Sequence, residues 1–145
     1  MGYSATHIAG ESIVIKKSRA TEFVNLLREA EKDMGHISWC STVSEYETRY
    51  ENDHEKVAIA MMADYGFITD KDDNSLHLIG WGGDKIGSSW DGVWDALTQV
   101  IEHDVTWVMC GEDSEIWAER LSGGKRETFS VDFDALLKID AQLKK

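Results

Sequence analysis

Apolar and polar positions change period several times along this chain, and each change predicts an element. Residues 5–17 interleave Ile8, Ile13, Val14 and Ile15 with polar side chains, the pattern of a strand, with a kink expected at Gly10. Ser18 stands where a helix cap is expected, and Phe23, Leu26, Leu27 and Ala30 then recur at helical spacing until Met34 and Gly35 close the run. Residues 36–52 mix two patterns: Trp39, Val43, Tyr46 and Tyr50 suit a helix, whereas Ser41, Thr42, Val43 and Thr48 favour extended chain, so irregular structure is expected. From Asp53 onward, residues 55–63 are mostly good helix formers, and Gly66 is placed to end them. A hairpin follows, with strands over 67–69 and 76–81 joined through Asp70, Lys71, Asp72, Asp73 and Asn74.

The clearest helix carries Trp90, Val93, Trp94, Leu97, Val100 and Ile101 on one stripe, with Ser88 and Asp91 spaced as a capping box. After His103 the pattern is a meander: strands over 105–110, 115–121 and 125–131, joined by turns at Gly111-Glu112-Asp113 and Gly123-Gly124. Val105, Trp107 and Met109 alternate with Val108 and Cys110, which predicts that the first of these strands is central and covered on both sides. Asp132 offers a cap to a last helix bearing Phe133, Leu136, Leu137 and Leu143. The sum is a single α+β domain over residues 1–145, a largely antiparallel sheet of about five to six strands packed by about three to four helices.

Composition narrows this picture. The 145 residues, 42% of them hydrophobic, suffice for one sizeable core. Proline is absent, so glycine alone punctuates the chain. No apolar run approaches the roughly 18 residues that span a bilayer, and the first residues lack the basic-then-apolar pattern of a signal peptide. Cys40 and Cys110 form no disulfide framework. The expectation is a cytoplasmic protein without a membrane partner.

Charge changes the picture most. The net charge of −12 argues against direct nucleic-acid binding over a broad surface. It is also unevenly placed: residues 1–35 hold five acids and five bases, residues 45–75 nine acids and three bases, and residues 84–119 nine acids with Lys85 as the one base. Carboxylates gathered on one face would resemble a polyanion and steer the protein to basic grooves of other proteins. Glu112, Asp113, Glu115 and Glu119 are the residues expected to make that contact.

Candidate chemistry is sparse. Residues 80–89 are glycine-rich and lead from a strand to a helix, a setting in which backbone N–H groups favour anions. Trp81 would stack on a nucleotide-like anion, Gly82 and Gly83 would admit it, and Lys85, Ser88 and Ser89 would bind its charge. The lysine that a phosphate loop places before its hydroxyl residue is missing. Residues 70–74 resemble the start of a calcium loop, but Ser75 and Trp81 stand where such a loop needs glycine and glutamate. His36 and Cys40 share a helical spacing without a second ligand pair, and no nucleophile elbow or metalloprotease motif occurs. No catalytic residue, metal or cofactor is therefore assigned. Catalysis by carboxylates such as Glu112 or Asp113 ranks last among the readings.

The Gly2-Tyr3 opening, Gly10-Glu11, Trp81-Gly82-Gly83, and Gly111-Glu112-Asp113 followed by the strand with Trp117 give a chain that is similar to short uncharacterised α+β proteins of phages, prophages and actinobacteria. That resemblance implies a small α+β fold and a phage or prophage context, and it carries no catalytic residues. The leading expectation is a non-enzymatic binding protein in the host cytoplasm whose acidic surface occupies a basic site on a host protein, in the manner of a defence inhibitor or nucleic-acid mimic. The alternative is a protein that binds or sequesters a small anionic ligand through residues 80–89. An open strand edge at Lys125–Val131 also offers a route to a homodimer.

Overall fold

A computed structural model describes residues 3–34, 41–86, 91–111, 113 and 115–131. Seven strands form one open antiparallel sheet: β1 Tyr3–Gly10, β2 Ile13–Lys16, β3 Phe67–Lys71, β4 Ser75–Ile86, β5 Val105–Gly111, β6 Ile116–Ser122 and β7 Lys125–Val131. Among the described residues four α-helices accompany them: α1 Ala20–Met34, α2 Val43–Arg49, α3 His54–Asp64 and α4 Asp91–Thr98. The α+β class holds, with more strands than the sequence predicts.

The extra strand arises at Gly10. There the backbone reaches a φ of 131°, and a Cβ would lie 2.4 Å from the Thr106 carbonyl oxygen, so only glycine fits. The chain breaks at this point into β1 and β2. β1 pairs with the end of β4 around Gly82 and Gly83, and β2 pairs with its beginning, Ser75–Leu78. β3 takes the opposite edge of β4, while β5, β6 and β7 extend the sheet beyond β1 as the expected meander. Gly123 and Gly124 both adopt positive φ, as a two-residue hairpin turn requires.

All four helices contribute to one core with the same side of the sheet. Phe23, Val24 and Leu27 of α1, Val57, Met61 and Met62 of α3, and Val93, Trp94 and Leu97 of α4 meet Ile13, Ile15, Leu78, Trp107 and Met109. Phe67, Trp81, Trp94 and Trp107 form an aromatic centre with ring centroids 5.4 to 6.4 Å apart.

Four local expectations are corrected. Ser18 does not cap α1, because a 3-10 turn over Lys17–Arg19 leads into it. Residues 43–49 are helical: Thr42 accepts the Glu45 N–H, and Glu31 of α1 accepts the Val43 N–H at 2.5 Å. β4 runs on to Ile86 through the glycines expected to form a loop. α4 ends at Thr98, and Ile101 forms an isolated bridge with Ile15. The proposed last helix, the cap at Ser88 and the His36–Cys40 pair lie outside the described residues.

Candidate functional site

Glu119 is the acidic residue the fold treats most differently from its expectation. It lies opposite Trp107 on the helix-covered side of the sheet and is only 4% exposed. Arg126 of β7 grips it with two hydrogen bonds of 2.9 and 3.0 Å, Thr128 donates at 2.9 Å and the Trp117 indole at 3.1 Å. Arg126 also reaches Asp91 of α4 at 2.5 Å and lies over the Trp94 ring. Burial opposes the charge on Arg126, but its hydrogen bonds to Glu119 and Asp91 outweigh that and raise its pKa. The cluster ties β6, β7 and α4 together and leaves Glu119 closed to a partner.

The other acidic residues are dispersed. Asp113 and Glu115 are exposed at the β5–β6 turn, where the Gly111 N–H donates to the Glu115 carbonyl, and Glu112 lies outside the described residues. Within residues 84–119, Asp91 pairs with Arg126, Glu102 with Lys16, and Asp104 with Arg120. Asp104 and Glu115 flank opposite ends of β5, so these two acids do not share one patch.

The expected anion loop fares similarly. Trp81 is 2% exposed and its indole N–H donates to the Tyr65 carbonyl at 2.7 Å, so no ring face is free for stacking. Gly82 is exposed within β4, its N–H bonded to the Gly66 carbonyl, and Gly83 pairs with Ala5. Lys85 belongs to the same strand, while Ser88 and Ser89 lie outside the described residues. The Asp70–Asn74 stretch is a hairpin turn in which the Asp72 carboxylate accepts the N–H groups of Asn74 and Ser75 and bonds His77. The His77 contact first, and these N–H groups next, hold its pKa at about 2. No group of three metal-ligating side chains is found among the described residues.

A polar network joins three helices. Thr21 of α1 bonds His54 Nδ1 of α3 at 2.9 Å, and His54 Nε2 bonds Glu47 of α2 at the same distance. Arg28 adds a 2.8 Å bond to Glu47, whose pKa falls to about 2 chiefly through Arg28 and then through His54. These contacts hold α1, α2 and α3 together.

The surface that sequence reasoning missed is the other face of the sheet. Ile8 of β1, Ile68 of β3, Ile79 of β4 and Phe129 of β7 are 49%, 56%, 45% and 45% exposed. Bulges at Ile8 and Ile79 put both outside the strict alternation. Ile68 lies opposite Gly80, the Ile68 Cδ1 atom is 3.4 Å from where a Gly80 Cβ would stand, and β1 passes on the other side with His7 3.5 Å away. Ala9, Val108, Ala118 and Phe129 follow in register across β1, β5, β6 and β7, with Val108 half-buried and Ala118 buried between the exposed Ala9 and Phe129. β5 is therefore central, as expected, but among the described residues no helix covers its Val108 and Cys110 side. The signal available in the sequence was the Ile68–Thr69 alternation after Phe67.

Comparison with protein-family models, with curated proteins and with solved structures gives no match for this chain.

Proposed function

We propose that this chain is a protein-binding module that seats the face of its sheet opposite the four described helices on a basic site of a partner protein. The observation that carries this reading is the exposure of Ile8, Ile68, Ile79 and Phe129 on one side of a sheet whose other side is packed by four helices. Exposed apolar patches bordered by polar residues mark interaction sites more often than they occur by chance. Asp113 and Glu115 stand at the β5–β6 turn that borders this face, and the net charge of −12 favours a basic partner. The resemblance to phage and prophage proteins supports a host protein in that role.

The test is comparative capture from bacterial lysate with the natural chain and with an Ile68→Lys, Ile79→Lys variant, washed at low and then high salt. A protein retained by the natural chain, released by salt and absent from the variant is then purified and bound again directly. Rebinding to the natural chain alone supports the reading. The same proteins on both chains, or none on either, contradict it.

A further inference from the structure

The side of α3 turned away from its core residues carries Lys56, Ile59, Ala60 and Ala63, spaced i, i+3, i+4 and i+7. Across from it, edge strand β3 brings Thr69, Asp70 and Lys71, and Tyr50 follows the end of α2. These residues line a groove of about 440 Å³, within the range of small-molecule sites. Its floor is apolar because Ile59 and the Tyr50 ring supply carbon surface, while the small Ala60 and Ala63 leave room above it.

Charge gives the groove its character. Lys17 pairs with Glu55, Arg28 with Glu47 and Arg126 with Glu119, whereas neither Lys56 nor Lys71 has an ion-pair partner among the described residues. Both of these lysines line the same groove. The one carboxylate that lines the groove with them, Asp70, is turned onto the backbone N–H of Lys71 at 2.8 Å. Two positive charges against one negative leave a lining of net charge +1 on a molecule of net charge −12. A local reversal of sign around an apolar floor selects an anion with a carbon body and disfavours a cation.

We propose that this groove binds a small amphipathic monoanion, a carboxylate whose apolar body lies on Ile59, Ala60 and Ala63 while its head group meets Lys56 and Lys71. This goes beyond the protein-binding reading and uses a different part of the molecule. The experiment is titration of the isotopically labelled protein with octanoate, with octylammonium and acetate as the probes of wrong charge and missing body. Octanoate is expected to shift the amide signals of Ile59, Ala60, Ala63 and Thr69, acetate and octylammonium to leave them in place, and the Lys56→Glu, Lys71→Glu variant to bind at least about tenfold more weakly. Both lysines are exposed, so the variant keeps its fold, which an unchanged urea midpoint confirms. Ala63→Trp, which fills the floor without touching either charge, should block binding as well. Octanoate that shifts no groove signal, that binds the charge-reversed variant equally, or that is matched by octylammonium overturns the proposal.

Discussion

On the helix-covered side of the sheet, three side chains that leave water find partners: the Trp81 indole donates to Tyr65, the Trp107 indole to Glu11, and Glu119 is held by Arg126, Thr128 and Trp117, whereas His7 Nε2 is buried without one among the described residues. On the other side, Ile8, Ile68, Ile79 and Phe129 stay in water with no described helix over them. An isolated apolar side chain on a surface is ordinary, but a row of them across several strands gains free energy whenever something covers it. One face therefore serves stability, and the proposed function assigns association to the other. Substitutions should separate the two roles.

The largest effect is expected at Glu119. Glu119→Gln keeps the shape but removes the charge that Arg126 grips inside the structure. Breaking one side of a buried pair costs about 3–5 kcal/mol, so urea unfolding should show a loss of that order. A loss below about 1 kcal/mol would mean that Asp91 compensates fully for the missing partner. Gly10→Ala comes next: its Cβ would meet the Thr106 carbonyl and the Trp107 ring at a φ that alanine disfavours. A destabilisation of about 1–3 kcal/mol is expected from such overpacking.

Acid should act on the helix-covered side in two stages. Burial keeps the His7 ring, stacked 4.2 Å from Trp107, neutral below its ordinary value of 6.5. The unfolded chain takes up that proton first, so the stability due to His7 is complete above pH 6.5 and declines as pH falls below it. Glu47 behaves as a carboxylate held at about 2, largely by Arg28. Its contribution is complete above the unfolded value of 4.5 and is lost as pH falls through about 2. Urea midpoints measured from pH 8 to pH 2 should therefore decline in two windows, with His7→Phe flattening the first and Glu47→Gln the second. The smallest effect on stability belongs to the open face, where Ile68→Lys should change it by no more than about 0.5 kcal/mol.

How much of this was legible in the sequence depended on how local the cause was. The Val93, Trp94 and Leu97 part of the α4 stripe, the Gly123-Gly124 turn and a kink at Gly10 were readable because period and turn chemistry act over a few residues. The helix over Val43–Arg49 was overlooked although Thr42 and Glu45 carry a capping-box spacing; part of its support, the Glu31 carboxylate on its first N–H, comes from another helix. The acidic candidates misled for a related reason. Arg126 lies outside the acid-rich stretch of residues 84–119 that drew attention, and strand pairing brings it onto Glu119. The continuation of β4 through Gly80, Gly82 and Gly83 was hidden because glycine signals a loop, whereas β1 and β3 supply the ladder that keeps these glycines extended. The open face was obscured by bulges at Ile8 and Ile79, which break the alternation that would have marked it.

The most direct measurement is the affinity of a recaptured, purified partner for the natural chain, for Ile68→Lys, Ile79→Lys and for Glu115→Lys, with the urea midpoint recorded for each. Burial of the open face predicts that the double variant loses about tenfold or more in affinity at an unchanged midpoint, and that Glu115→Lys weakens association mainly at low salt. Equal affinity for the natural chain and the double variant would contradict the account.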